Sequence, residues 1–559
     1  MKNTGLNIIY SLLILVLTSC MGDLNTLPKD DNMLTSEEVY KTAKGYKGLL
    51  AKCYASLVLT GQQGGDGGNG DVSGIDEGYS GYTRALFYLQ EGGTDEMLVH
   101  SGGSHGTQAI LFMNWDPSTK VVSYPYYRVY MTINYCNELL RESTVAKLKS
   151  RGVYEELKDD IEYYRAEARF LRAYSYSMIC DLYGSGPFVD ESSKLGGIPH
   201  QKTRLEIYHY ALQELLAIEG LLHEPKANEY GRIDRVAAWF LLARMYLNQE
   251  VWIGESDYDK AYTYAMKVVN EGGYPLANDY REIFLADNNT CPEIIWPLVQ
   301  DADNAQSSAG TNFILKALCN GIMDNYYKTG IGARGWGNVR VKTQLVNLFD
   351  EADQTFDVND TWGDNKGDKR AQFFSVDHSK ETWIDGKDFQ KDFNNGYACI
   401  KWRNVTKDRE ELVKGGTQYS SIDYPLFRTA DAYLMASEAI LRMNGSKDEA
   451  LKLINTVRDR AYLAGSFGSN TPNRVALSDL NLDFILDERA RELHTELIRR
   501  TDLIRFNKYT KNNNWDWKGS TGMAGDYLGK DVDDKYNLFP IPQDEFTVNP
   551  NLVQNPDYD

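Results

Sequence analysis

Apolar residues recur at helical spacing along much of the chain, most clearly between positions 161 and 182. Steps of three and four residues place side chains on one face of an α-helix, so this stretch predicts a packing helix. Glycine and proline follow directly, and these residues predict a sharp helix end. The apolar face consists of Ile161, Tyr164, Ala168, Leu171, Ser175, Met178 and Leu182, and the end signals are Gly184, Gly186 and Pro187.

Further periodic segments follow in pairs, which predicts helical hairpins. Their repeat of about 34 residues, with alanine and aromatic residues alternating inside, matches the tetratricopeptide pattern. The clearest hairpin joins residues 234–248 to residues 258–270. An earlier helix is predicted from Thr35 to about Ser56, because Thr35 and Glu38 have capping-box spacing. The other predicted helices are residues 205–222, 426–443 and 448–461, with a long charged helix at 479–508.

Residues 278–424 differ in character from the helical segments. Five tryptophans lie there among Gly, Asn and Asp, in segments too short for packing helices. We therefore predict a mainly α protein, with a tetratricopeptide-type helical-hairpin scaffold at about 36–277 and 425–559. A long loop-rich, mixed excursion separates these two parts of a single domain. Because loops on a rigid scaffold often carry function, we expect the binding site in this excursion or in the glycine-rich loop at 61–84.

The N-terminus has the features of an export signal. Lys2 precedes an apolar run that is too short to span a bilayer, and no later apolar stretch reaches membrane length. The run ends in Leu-Thr-Ser-Cys, which resembles the bacterial lipoprotein box, where the cysteine becomes the lipidated first residue. We predict a signal peptide at 1–19, lipidation of Cys20 and a tether at 20–35. An ordinary signal peptide with a coincidental cysteine is the alternative.

Charge and composition narrow the possible partners. The chain has 559 residues and a net charge of -19, from 60 basic and 79 acidic side chains. A field of this sign repels phosphate backbones, which argues against nucleic acid as a partner. Aromatic residues make up 12% of the chain, with 38 Tyr and 10 Trp. Rigid amphipathic rings are suited to gripping a partly apolar ligand, so the excess of aromatics indicates binding.

The sequence gives no pattern for a metal or a cofactor. Six cysteines follow Cys20 without a Cys-x-x-Cys pair or a histidine at ligand spacing, and we expect most of them to be unpaired. Residues 350–370 are rich in carboxylates but lack the ordered spacing and final Glu of an EF-hand. A solvated acidic loop is therefore favoured over a calcium site.

Several long segments occur in a recognisable order, namely LTSC, DEGYSGYTR, AEARFLRAYSYSMICDLYGSGPFV, DYPLFRTADAYLMASEAILR, ERARELHTELIRRTDLIRF and FPIPQDEFTVNPNLVQNPDY. Together they resemble the SusD/RagB family of Bacteroidetes outer-membrane lipoproteins. The resemblance implies a tetratricopeptide-type scaffold with a loop-rich glycan-binding region and no catalysis. It also implies a cell-surface protein that sits as a lid on a SusC-type TonB-dependent transporter and passes oligosaccharides to it.

The resemblance also implies individual site residues. Asp76 and Arg84 stand where starch-binding members have polar sugar contacts, and Trp336 stands where they have a stacking tryptophan. Val99 and Ser308 replace two other aromatic residues of the starch-binding arc, which leaves the identity of the glycan open. The predicted glycan contacts are therefore Asp76, Arg84 and Trp336, and His100 is added to them because a ring nitrogen can hydrogen bond to a sugar.

Each predicted contact has a structural alternative. Asp76 and Arg84 could form an ion pair that stiffens the glycine-rich loop. Trp336 lies between two glycines, so its ring could either stack on a sugar or fold back onto the core. A loop histidine such as His100 is often merely solvated.

Two other classes of protein compete with a glycan-binding protein. A glycoside hydrolase needs two carboxylates across one bond, and Asp95–Glu96 and Asp76–Glu77 are available pairs. With 79 acidic residues any chain offers such pairs, so binding without catalysis is preferred. A pure assembly protein, whose helical face serves only its transporter partner, would have no glycan affinity.

Overall fold

The computed structural model describes residues 36–61, 65, 70–99, 105–383, 392–462, 475–523 and 525–558. Within this part of the chain, α-helices dominate and the strands are short, which confirms the predicted fold class. The predicted signal peptide and tether lie outside the described residues, as do Cys20 and His100.

Helices of the first half begin at Ser36 and end at Glu271. They are α1 (Ser36–Val39), α2 (Ala43–Ala55), α3 (Glu77–Ser80), α4 (Tyr82–Gln90), α5 (Thr107–Phe112), α6 (Lys120–Glu142), α7 (Val145–Ser150), α8 (Tyr154–Leu157), α9 (Ile161–Leu182), α10 (Arg204–Ile218), α11 (Arg235–Ile253) and α12 (Tyr258–Glu271). The prediction of one continuous helix from Thr35 to about Ser56 is therefore wrong, because α1 ends at Val39 and α2 begins at Ala43. A new helix begins after Thr42, whose side chain accepts a hydrogen bond from the Gly45 amide.

The second half alternates short helices and short strands before it returns to longer helices. The helices are α13 (Gly310–Leu318), α14 (Thr343–Val346), α15 (Thr429–Arg442), α16 (Lys447–Ala461), α17 (Leu482–Leu493), α18 (Arg499–Arg505) and α19 (Glu545–Val548). The strands of the described chain are β1 (Met97–Val99), β2 (Gly186–Pro187), β3 (Gln201–Lys202), β4 (Ile294–Leu298), β5 (Val339–Val341), β6 (Phe373–Phe374), β7 (Ala398–Cys399) and β8 (Tyr424–Arg428).

The long helices pack as antiparallel neighbours along the chain. Helix α9 contacts α6 and α10, α11 contacts α12, and α15 contacts both α12 and α16. Helix α9 has the predicted bounds, and Gly184 follows it in the left-handed region with φ 72°. Asp234 and Asp257 cap α11 and α12, so the clearest predicted hairpin is confirmed. Helix α10 ends at Ile218, earlier than predicted.

A pair of strands joins the two ends of the excursion. Strand β4 pairs antiparallel with β8, and Ile294 lies opposite Arg428. The helix predicted at 426–443 therefore begins later than expected, because residues 424–428 are a buried strand. A short apolar run fits either element by periodicity, and here pairing with β4 decides for the strand.

The long charged helix predicted at 479–508 is wrong, because the chain turns between α17 and α18. Thr495 and Leu497 have φ values of 65° and 62°, which a helix does not allow. The Leu497 amide donates to Glu91 Oε1 at 2.7 Å, and the Thr495 amide donates to Glu96 Oε2 at 3.4 Å. Carboxylates distant in sequence therefore hold this turn.

Many charged residues near the C-terminus are buried in one network. Arg428 lies at its centre, with bonds to Glu293 at 2.9 Å, Glu492 at 2.7 Å and Glu496 at 2.6 Å. Neighbouring members are Arg370, Lys401, Arg458, Arg460, Glu488 and Arg491. Because removing one member leaves buried charges unpaired, the network makes the packing of these segments interdependent.

The core also takes up residues that sequence left unassigned. Trp296 and Trp402 of the excursion are fully buried, so they are packing residues. Cys53, Cys136, Cys180, Cys291, Cys319 and Cys399 are free, which confirms the expectation of mostly unpaired cysteines for the described chain.

Candidate functional site

Trp336 is held by its backbone while its ring faces solvent. Its amide donates to the Lys316 carbonyl at 2.5 Å, and the side chain is 45% exposed. A Cβ on Gly335 would lie 2.3 Å from the Cys319 carbonyl oxygen, and one on Gly337 would lie 2.6 Å from the Phe393 ring. The two glycines therefore permit a close backbone approach that places an indole ring rigidly at the surface.

Arg84 brings a cation to this ring from a distant part of the sequence. It lies on α4 and is only 8% exposed. Its guanidinium carbon is 3.9 Å from the centroid of the Tyr79 ring, 4.8 Å from that of Phe313 and 5.7 Å from that of Trp336. Its Nε donates to the Tyr88 hydroxyl at 3.3 Å. Aromatic rings thus hold the Arg84 guanidinium in position. The site therefore combines the flat Trp336 ring with a guanidinium that can donate two hydrogen bonds side by side.

An aromatic column lies behind Arg84. Tyr79 stacks on His105 with ring centroids 3.8 Å apart, and His105 Nδ1 hydrogen bonds to the Tyr124 hydroxyl at 2.5 Å. Burial lowers the pKa of His105, so the imidazole is neutral near pH 7. Sequence reasoning missed these residues, although Tyr79 lies between Asp76 and Arg84 in the segment that it singled out.

Asp76 lies next to the site but does not pair with Arg84. Its exposed carboxylate caps α3 and accepts from the Tyr79 amide at 3.4 Å. No ion pair joins Asp76 to Arg84 in the described chain, so the proposed stiffening of the loop by that pair is not found. Both side chains therefore keep polar atoms that a ligand can use.

Glu77 and two serines hold the backbone next to Arg84 in place. The buried Glu77 carboxylate accepts from Thr60, from the Ser307 hydroxyl at 3.2 Å and from the Ser308 amide at 3.3 Å. A Cβ on Gly78 would lie 2.5 Å from Arg84 Nη1, which shows how closely the guanidinium approaches the backbone. Glu77 is therefore a structural acid.

The two positions that depart from the starch-binding pattern have different surroundings. Val99 is buried in β1, opposite Val339, and faces the core. Ser308 is partly buried and donates to the Gly65 carbonyl at 2.6 Å. Lys316, which sequence reasoning did not select, has its ammonium 5.8 Å from the Trp336 ring centroid and 5.7 Å from that of Tyr419. Lys316 therefore adds a positive charge beside Trp336 that the sequence did not predict.

The carboxylate pairs considered for a hydrolase have other partners. Asp95 accepts two hydrogen bonds of 2.7 Å from Arg499, and Glu96 is buried beside Glu91. Burial, reinforced by Glu96, raises the pKa of Glu91 well above its usual range. These acids therefore hold the turn before α18 through their bonds to Thr495, Leu497 and Arg499.

We expect Glu91→Gln to reduce the loss of stability at high pH. Because the folded-state pKa of Glu91 is raised, its contribution to stability is present below about pH 4.5 and is lost as pH rises through the folded pKa. A glutamine keeps the acceptor for Leu497 without the charge. Urea unfolding at pH 5.5 and 8.5 should show a smaller decrease in unfolding free energy for the variant than for wild type, and an equal decrease would contradict the raised pKa of Glu91.

Carboxylates of the acidic segment 350–370 accept hydrogen bonds from backbone amides of the same segment. Asp353 accepts from the amides of Gly367 and Asp368, each at 2.8 Å. Asp360 accepts from the amides of Asp364 and Asn365. These carboxylates therefore order the loop through hydrogen bonds to its own backbone. Within the described ranges, no helix has the length and apolar character needed to cross a bilayer.

The fold and the site together define a helical-hairpin protein with an exposed aromatic platform. This platform consists of the Trp336 ring and the Arg84 guanidinium beside it. The chain belongs to the SusD family. Residues 292–558 match that family, and the whole chain is 32% identical to the starch-binding protein SusD of Bacteroides thetaiotaomicron, over 97% of this chain and 96% of that protein. It is also 25% identical to the SusD-like protein P25 of Formosa agariphila, over 72% of this chain and 73% of that protein.

Solved structures agree on the fold. A SusD superfamily protein from Bacteroides thetaiotaomicron matches with a TM-score of 0.67 and 20% identity, over 92% of this chain and 100% of that one. The surface glycan-binding protein A from the same species, in complex with laminarihexaose, has a TM-score of 0.65 and 18% identity over 92% of this chain and 99% of that one. The helical scaffold is thus shared beyond recognisable sequence identity.

Proposed function

We propose that this protein binds a polysaccharide or oligosaccharide at the cell surface and delivers it to a SusC-type TonB-dependent transporter. The observation that carries the proposal is the rigidly mounted, half-exposed Trp336 ring with the Arg84 guanidinium beside it. An exposed indole ring offers a flat apolar face, which suits the apolar face of a pyranose.

The site divides the work of sugar binding between an apolar surface and polar groups. Trp336 provides the stacking surface, and the terminal nitrogens of Arg84 donate to adjacent hydroxyls. The exposed Asp76 carboxylate accepts from hydroxyls near the same edge. We include His100 as a further polar contact. No cofactor, metal or reaction is part of this proposal.

Family membership supports the ligand class but leaves the individual sugar open. One relative is named for starch, and a structural neighbour holds laminarihexaose. Val99 is buried and Ser308 has no ring, which supports a site with fewer stacking rings than the starch-binding arc. We therefore propose a glycan with fewer stacking contacts than starch requires.

Isothermal titration against a polysaccharide panel tests the proposal. Saturable heat with at least one glycan is expected, together with no release of reducing ends on prolonged incubation. Release of reducing ends would instead favour the glycoside hydrolase. A complete lack of glycan affinity would favour a pure assembly protein that serves only the transporter.

The proposed lipid anchor gives a direct prediction. Cys20→Ala should leave the protein uncleaved or released from membranes, because the thiol is the site of acylation. Membrane fractionation and mass measurement of the mature N-terminus test this, with Cys291→Ala as a control that keeps the export signal. Normal outer-membrane fractionation of Cys20→Ala would contradict the anchor.

The transporter partner requires a separate test. A protein that captures sugar without reaction contributes to uptake only if another protein moves the sugar inward. Purification from native membranes in mild detergent should therefore recover a SusC-type transporter with this chain. Recovery of the chain alone under those conditions would count against the partner.

A further inference from the structure

A second cleft lies away from the Trp336 platform. It has a volume of about 330 Å³ and is formed between the loop that joins α10 to α11 and the segment that precedes β4. None of its lining residues belongs to the platform. This volume lies within the range of roughly 300 to 1,000 Å³ that is typical of small-molecule sites.

Tyr230 forms one wall of the cleft and is fixed in position. Its ring is 54% exposed, yet its hydroxyl donates to the Asp423 carboxylate, whose other oxygen accepts from the Gln300 amide at 2.7 Å. A Cβ on Gly231 would lie 2.7 Å from a methyl group of Val299, so the next residue is pressed against the excursion. The hydrogen bond from its hydroxyl thus holds the exposed Tyr230 ring in place. The apolar face of the ring remains available to a ligand.

Tyr274 also lines the cleft and is partly buried. The Tyr274 hydroxyl donates to Asp234 at 2.7 Å, and the Lys226 ammonium lies 4.8 Å from the centroid of the Tyr274 ring. Asn289 and Thr290 are exposed at the rim. One exposed ring, a second ring that is partly buried and several hydrogen-bonding groups therefore line the same cleft.

The charges of the cleft favour a neutral ligand. Arg232 is occupied by Glu167, with two bonds of 3.1 and 2.5 Å, and Asp234 accepts from Tyr274 and from the Lys226 amide. The Glu229 carboxylate, which also lines the cleft, pairs with Lys47 at 2.7 Å and with Arg232 at 3.4 Å. A phosphate or a carboxylate would find no concentrated positive charge here, whereas hydroxyl groups can pair with donors and acceptors of both kinds.

We propose that this cleft is a second saccharide-binding site, in which a short neutral sugar unit lies against the exposed face of Tyr230. The proposal does not depend on sugar binding at Trp336. If both sites bind the same chain, the second contact becomes intramolecular and raises the apparent affinity for polymers without changing that for short oligosaccharides.

Saturation-transfer NMR in a Trp336→Ala background tests the cleft alone. The probes are glucose, galactose, mannose and xylose, each added as the free sugar. We expect saturation transfer to at least one of them, and we expect Tyr230→Ala in the same background to abolish it. Tyr230→Phe keeps the ring and should retain most of the signal. Circular dichroism melts of all variants identify any that fail to fold.

Titration with the polymer that binds wild type separates the two sites. Tyr230→Ala alone should weaken polymer binding roughly tenfold and leave the affinity of the Trp336 platform for short oligosaccharides unchanged. Absence of transfer in the Trp336→Ala protein, or transfer that survives Tyr230→Ala, overturns the second site. Loss of polymer binding in Tyr230→Ala but not in Trp336→Ala would support the cleft and contradict the platform.

Discussion

Replacing Trp336 with alanine is expected to lower glycan affinity roughly tenfold to a hundredfold while the melting temperature stays close to that of wild type. Aromatic stacking is worth about 1 to 3 kcal/mol, by analogy with bases on aromatic side chains, and 1.4 kcal/mol is a factor of ten. The ring is 45% exposed and its neighbours are glycines, so its removal leaves no closed cavity. Titration and thermal melts of the same preparation measure both effects.

Trp402→Ala is the matched control for this experiment. Trp402 is fully buried in the same excursion, and its Nε1 donates to the Thr495 hydroxyl at 2.9 Å. Its truncation should cost about 3 to 5 kcal/mol of unfolding free energy, with unchanged affinity in the folded fraction. Unchanged affinity in a well-folded Trp336→Ala protein would move the platform elsewhere in the excursion, first to Trp362 or Trp383.

Arg84→Ala should weaken binding less than Trp336→Ala does. Water can replace part of the hydrogen bonding of the guanidinium, but not the stacking surface. Because the Arg84 side chain also packs between Tyr79 and Phe313, some loss of stability is expected as well. Arg84→Lys keeps the charge but not the fork, and it separates these contributions.

The spacing of residues along the sequence predicted the helical scaffold, because the signals for each hairpin lie within the hairpin itself. In α11 and α12 the small and large residues alternate along the sequence, and the capping aspartates stand at the helix starts. Strand β8 gave no such signal, because five buried residues ahead of a helix read equally well as its first turn. Pairing with β4, well over a hundred positions away, decides the matter.

The candidate site was predictable only in part. Two flanking glycines indicated an unusual setting for Trp336, and the structure shows the close contacts that require them. The proximity of Arg84 to Trp336 depends on tertiary packing of α4 beside α13, which no local spacing encodes. His105 was missed for the same reason, since its role exists only through its stack on Tyr79.

For charged residues near the C-terminus, the sequence predicted exposure to solvent where the structure shows burial. The run at 479–508 has the composition of a solvated helix, yet Glu488 and Glu492 are fully buried. Composition describes how costly burial would be, but not whether a partner is present to offset that cost. Here the partners come from β8, α16 and the excursion, and the charges hold these segments together.

Arg428→Met is expected to destabilise the fold by about 3 to 5 kcal/mol, the usual cost of removing one partner from a buried ionic network. The arginine is almost fully buried and bonds to Glu293, Glu492 and Glu496. Methionine fills much of the volume but leaves these carboxylates short of a cation. Urea unfolding at pH 7 measures the loss. Lys158→Met, which breaks an exposed pair with Glu155, should leave the unfolding midpoint unchanged.

The pH dependence of this loss identifies its electrostatic origin. Burial alone would raise the pKa of Glu492, but Arg460, Arg428 and Arg370 hold it at about 2, below the usual 4.5. A lowered folded-state pKa contributes stability above pH 4.5 that is lost as pH falls toward 2. Without Arg428 the pKa rises, so the difference in unfolding free energy between wild type and variant should be largest above about pH 5 and narrow by about pH 3. A difference that stays constant over this range would mean that Arg428 stabilises the fold through packing rather than through its charge.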